Sequence, residues 1–92
     1  MFMKLFGQTV VTPGIAEKMS DNAEFNKEVQ QSLERFCKCD WGEMSERDKE
    51  TNNERLKSGG RLFAAYETVA GKIWIINEAD RFITTVLFPS EY

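Results

Sequence analysis

From Arg61 onward the chain consists of three short runs rich in aromatic and β-branched residues, RLFAAYET, KIWII and RFITTVLF, separated only by VAG and NEAD. Parallel neighbours need a crossover of about a dozen residues or more, whereas antiparallel neighbours need only roughly two. The spacing therefore predicts a three-stranded antiparallel meander. Within it Ile73 and Ile75 oppose Trp74 and Ile76, while Phe82, Thr84, Val86 and Phe88 oppose Ile83, Thr85 and Leu87. Both faces of the last two strands therefore need cover.

The cover has to come from upstream. Residues 6–12 (FGQTVVT) are β-prone and end at Pro13, which with Thr12 as N-cap starts a helix of about residues 13–20 carrying Ile15, Ala16 and Met19. Asp21 stands three positions before Glu24, a capping-box spacing that predicts the start of a second helix. Along it Phe25, Val29, Leu33, Phe36 and Cys37 form one apolar stripe to about Lys38. Asp40, Trp41 and Gly42 break the helix, and Ser45 with Asp48 caps a third one over residues 45–58, stopped by Gly59 and Gly60. Its SERDKETNNER run is polar on every face, so this helix is expected largely in solvent.

The expected fold is thus α+β: an N-terminal strand and three helices packed on a C-terminal three-stranded antiparallel meander, in one domain over residues 1–92. Phe25, Val29, Leu33, Phe36, Trp41, Leu62, Ala64, Tyr66, Ile73, Ile75, Val86 and Phe88 are the expected core. One helical stripe cannot cover both sheet faces. The second is left either to the N-terminal segment with its helix or to a second copy of the chain, and a homodimer is the expected solution.

A chain of 92 residues with net charge −3 is not built for broad capture of nucleic acid or anionic membrane. It contains no histidine, which removes imidazole acid–base chemistry, Ser-His-Asp and Cys-His arrangements and His-ligated metals. The opening MFMKLFGQTVV is interrupted by Gln8 and Thr9 and lacks a cleavage pattern, Met3 before Lys4 is an alternative start, and no apolar run reaches the roughly 20 residues of a membrane span. A cytoplasmic location is expected, with no membrane partner.

Few residues remain for chemistry. Cys37 and Cys39 lie two apart, which on a helix points them apart, so Cys37 is read as the end of the stripe and Cys39 as part of a frayed terminus. Asp40, Glu43, Glu46 and Asp48 lack the spacing of a calcium loop, and SGGRL lacks the lysine of a phosphate-binding loop. No metal or cofactor is expected. Arg61, Tyr66, Lys72, Arg81 and Tyr92 are the binding candidates, since converging cations and hydroxyls can stabilise a phosphorane without histidine. The alternative gives Arg81 to Glu78 or Asp80 in the turn, Lys72 to an exposed edge strand and Tyr66 to cover of the sheet.

The segments DWGEMSERDKETNNERLKSGGRLFAAYE and KIWIINEADRFITTVLFPSEY, and more loosely GQTVVTPGIAEKM, resemble the short plasmid-related proteins of bacterial mobile elements. That resemblance covers roughly residues 39–92 and implies an accessory gene product with no known catalytic residues. It suggests a non-enzymatic regulator or inhibitor that binds a host or mobile-element protein. A fainter likeness to RelE-type ribosome-dependent mRNA interferases implies a histidine-free ribonuclease toxin using Arg61, Lys72, Arg81 and Tyr92, although the chain is acidic where such toxins are basic.

Overall fold

The computed structural model describes residues 7–92; the start of the expected N-terminal strand at Phe6, and the opening residues before it, lie outside them. In chain order the elements are β1 (Gln8–Val11), α1 (Pro13–Asp21), α2 (Ala23–Cys37), α3 (Glu46–Ser58), β2 (Leu62–Thr68), β3 (Gly71–Asn77), β4 (Ile83–Leu87) and a closing 3-10 turn (Pro89–Glu91). The meander β2-β3-β4 is antiparallel as its short connections require. The sheet is nevertheless four-stranded and mixed, in the order β1-β4-β3-β2, because β1 joins β4 in parallel. The chain from β1 to β4, which passes through all three helices and then β2 and β3, is the long connection that parallel neighbours need, over a span too great for the local strand spacing to reveal.

Local chemistry sets the helix boundaries. Thr12 caps α1, its hydroxyl accepting from the Ile15 N–H at 3.4 Å, with Pro13 at the first helical position. The cap of α2 is Asn22 rather than Asp21: its side chain accepts from the Phe25 N–H at 3.0 Å, while Asp21 still belongs to α1. The end of α2 is ordered, not frayed. Cys39 takes φ 64°, Asp40 N–H donates to the Arg35 carbonyl and Cys39 N–H to that of Phe36, which is the Schellman arrangement with cysteine where glycine is usual. Arg35 then clasps Asp40 through two hydrogen bonds of 2.7 and 3.1 Å.

The expected stripe forms one core. Phe25, Val29, Leu33, Phe36 and Trp41 pack with Leu62, Ala64, Tyr66, Ile73, Ile75 and Val86, joined by Ile15 from α1. Phe88 is half-buried instead of enclosed, stacked on Phe25 with ring centroids 5.8 Å apart. Because α1 packs on α2 and delivers Ile15 to this same core, the N-terminal helix does not cover the second sheet face.

With β1 at one end of the described sheet, β2 is the edge at the other, and the segment before α3 and α3 itself close it. Glu43 N–H donates to the Ala65 carbonyl at 2.7 Å, and Gly42 forms a bridge with Ala65. One step along, Asn52 presents its side-chain amide to the Phe63 backbone, donating at 2.8 Å and accepting at 3.3 Å as a paired strand would. Asn52 is accordingly 3% exposed on a helix otherwise turned largely to water. Asn52→Ala should lower stability by about 1 to 3 kcal/mol by leaving Phe63 unpaired, and it opens an edge prone to intermolecular pairing; urea unfolding and concentration-dependent light scattering check both.

Candidate functional site

Alternation along the strands and the cross-strand register put Phe63, Ala65, Trp74, Ile76, Thr85 and Leu87 on the face turned away from α1 and α2. Ile76 and Leu87 are only 3% and 5% exposed. Their direct partners across the strands are Phe63 and Trp74, whose large rings shade them. Sequence parity located this face and left its cover to another segment or a second copy; the chain's own aromatic residues do much of that work.

Those rings form a ladder. Phe63 and Trp74 lie 4.8 Å apart at 59°, and Trp74 and Tyr92 lie 5.6 Å apart at 72°. The closing 3-10 turn brings Tyr92 back over β3, where the Arg61 guanidinium sits 5.5 Å from its ring and donates to its hydroxyl at 3.0 Å. Arg61 also pairs with Glu78 at 3.6 Å. At its Phe63 end the ladder opens into a cleft of about 310 Å³ between α3 and β2, lined by Met44, Asp48, Thr51, Asn52, Arg55 and Phe63.

Behind this cleft lies a corner of arginines. Arg55 donates to the Arg61 carbonyl at 3.3 Å, and Arg81 donates to the carbonyls of Arg55 and Gly60 at 2.8 and 2.6 Å. Arg81 also reaches Asn77 Oδ1 and the Glu78 carbonyl, both at 3.1 Å. It therefore pairs with backbone oxygens rather than the carboxylates of Glu78 or Asp80, and ties the negative end of the α3 dipole to the β3–β4 turn. Arg81→Ala should lower the unfolding free energy by about 1.5 to 3 kcal/mol in urea titration, and Arg81→Lys should not restore it, because a point donor cannot span these acceptors.

Of the five binding candidates, Arg61 and Tyr92 meet, and Arg81 stands beside them as a structural clasp. Tyr66 is fully buried on the opposite face; its hydroxyl donates to the Asp40 carbonyl at 2.7 Å. Burial pushes its pKa up, so it stays a neutral phenol. Lys72 lies beside the β2–β3 turn, 3.8 Å from Glu67, on an interior strand rather than at an edge. Phe63, Trp74 and Arg55 lie outside the sequence-derived set; parity along RLFAAYET and KIWII is the signal that puts the two aromatics on one face, and the β2–β3 register makes them neighbours.

Burial raises both Cys37 and Cys39, Cys37 further through its neighbour's charge, which keeps the thiols protonated. Among the described residues no three His, Cys, Asp or Glu side chains converge as a metal site, and no helix is long and apolar enough to cross a membrane. Two carboxyls are held below their usual range: Asp40, first by its hydrogen bond from Arg35, and Glu91, first by that from Thr12. A depressed folded-state pKa contributes stability that is fully present above the ordinary carboxylate range and is lost as pH falls through the depressed value. The urea midpoint should therefore decline below roughly pH 4, and Asp40→Asn should flatten that decline.

Comparison with protein-family models, curated proteins and solved structures returns no match for this chain.

Proposed function

We propose that the chain is a non-enzymatic protein-binding module, an accessory regulator or inhibitor of the kind its likeness to the plasmid-related proteins suggests, acting on a host or mobile-element protein. The observation that carries this reading is the Phe63–Trp74–Tyr92 ladder with Arg61 laid on its outer ring. Trp, Tyr and Arg are the side chains that dominate binding energy at protein interfaces, and Arg61, laid on the outer ring of the strip with Arg55 lining the cleft beside it, offers charge complementarity to one kind of partner. That occupant is a protein surface with an apolar anchor flanked by carboxylates.

Single-stranded RNA also stacks on aromatic sheet faces. Here the rings meet one another tilted or edge-on, and Asp48 and Glu78 lie beside the arginines, so the face lacks the continuous positive track that a phosphate backbone follows. The ribonuclease reading has less support, since Lys72 and Arg81 are engaged elsewhere.

Affinity capture from bacterial lysate tests the proposal when wild type is compared with Trp74→Ala, Arg61→Glu and a control at exposed Gln31 on α2. Capture of a discrete protein that is lost in the first two and kept in the control is expected. Capture indifferent to Trp74 and Arg61, or a captured species destroyed by ribonuclease, overturns it. Recovery of only a second copy of this chain would make the face a homodimer interface instead.

A further inference from the structure

We infer that the segment Phe88–Tyr92 is a strap that opens locally, fastened by the single carboxylate of Glu91, and that its position sets which surface the docking face presents. This rests on the reading of that face as a binding site. The fastening converges on one side chain. Glu91 Oε1 accepts from the Thr12 hydroxyl at 2.6 Å and from the Phe88 N–H at 2.9 Å, and Oε2 accepts from the Gly14 N–H at 3.1 Å.

The acceptor sits at the N-terminal turn of α1, where free N–H groups and the helix dipole favour negative charge. Besides Glu91, the strap is held among the described residues by the packing of its 3-10 turn along β3 and by Tyr92, through its ring on Trp74 and its hydroxyl on Arg61. Tyr92 is 68% exposed, and the strap's own backbone bonds are the two of a 3-10 turn, Glu91 to Phe88 and Tyr92 to Pro89. None of its residues belongs to the enclosed core, and Phe88, stacked on Phe25, marks the hinge.

Release of Glu91 therefore leaves the core contacts intact, the condition for opening below the global unfolding free energy. Closed, the face shows Tyr92 and Arg61. Open, it shows the Trp74 ring that Tyr92 covers, continuous with Phe63 as one apolar strip, a different target for a partner.

Gly14 supplies an unusual test. A Cβ there would overlap the Glu91 carboxylate, so Gly14→Ala drives out the fastening while giving α1 a better helix former. Amide hydrogen exchange and the Trp74–Tyr92 ring contact, both read by NMR on the full chain, follow the strap without any partner. In Glu91→Ala, exchange at Phe88 and Gly14 should accelerate by about tenfold or more, while Ile75 and Val86 keep their protection. In Gly14→Ala the ring contact should weaken without loss of melting temperature. Unchanged exchange at Phe88, or acceleration of Ile75 by the same factor as Phe88, overturns the strap. A strap that opens as described in a chain whose partner capture ignores Trp74 would instead refute the docking reading and leave the local opening standing.

Discussion

Phe36→Ala should lower the free energy of unfolding by about 3 to 5 kcal/mol, the range for a large aromatic removed from an enclosed core. Phe36 is fully buried at the point where α2, the turn after it and the sheet meet. Its ring meets Trp41 edge-on at 5.3 Å, so truncation removes the transfer energy of the ring, opens a cavity and leaves Trp41 without its aromatic partner. Trp41 in turn donates to Asn53 on α3 at 3.0 Å, which carries the disturbance to the helix that closes the β2 edge. Urea unfolding followed by tryptophan emission measures the loss; a change below about 1 kcal/mol would mean that this aromatic pair is not central to the core.

The second large effect belongs to a residue with no side chain. Gly42 sits at φ 76° with its backbone bridged to Ala65, and a Cβ there would overlap the Ala65 carbonyl and lie 2.7 Å from Tyr66 Cδ1. Left-handed backbone alone disfavours alanine by about 1 to 2 kcal/mol. The overlap is with backbone and a buried ring, neither of which can swing aside, so the 42–43 segment must leave the β2 edge. Gly42→Ala should therefore destabilise by about 2 to 4 kcal/mol, with faster amide exchange at Ala65 and Glu43. A stability within about 0.5 kcal/mol of wild type would contradict the close approach of these backbones.

Much of this architecture was legible in the sequence because it is local. The stripe from Phe25 to Phe36, the Ser45 cap, the glycine stop of α3 and the short strand connections each depend on residues a few positions apart. Trp41 and Gly42 also behave as turn chemistry suggests, one anchored in the core and one at positive φ. The parallel seating of β1 on β4 was not legible, since it joins Val11 to Val86 across most of the chain and no local pattern encodes such a pairing. Nor was the role of Asn52, which looks like one more polar residue in a solvated helix until β2 is known to be an edge. The candidate set divided for the same reason. Arg61 and Tyr92 meet only because the closing turn folds back, whereas Tyr66 and Lys72 are separated from them by strand parity and by the length of β2 and β3. Parity likewise put Phe63 beside Trp74, but it is the register, fixed by the tight Thr68–Gly71 turn, that made them direct neighbours of Ile76 and Leu87.

We propose the aromatic sheet face as the place where this protein meets another protein. Site-specific photocrosslinking in living bacteria tests it most directly, with a benzophenone side chain placed in turn at Tyr92, at Phe63 and at exposed Gln31 on α2. Discrete, protease-sensitive adducts from positions 92 and 63, absent from position 31, are the expected result. Adducts only from position 31, adducts that ribonuclease removes, or no adduct from position 92 or 63 would contradict it.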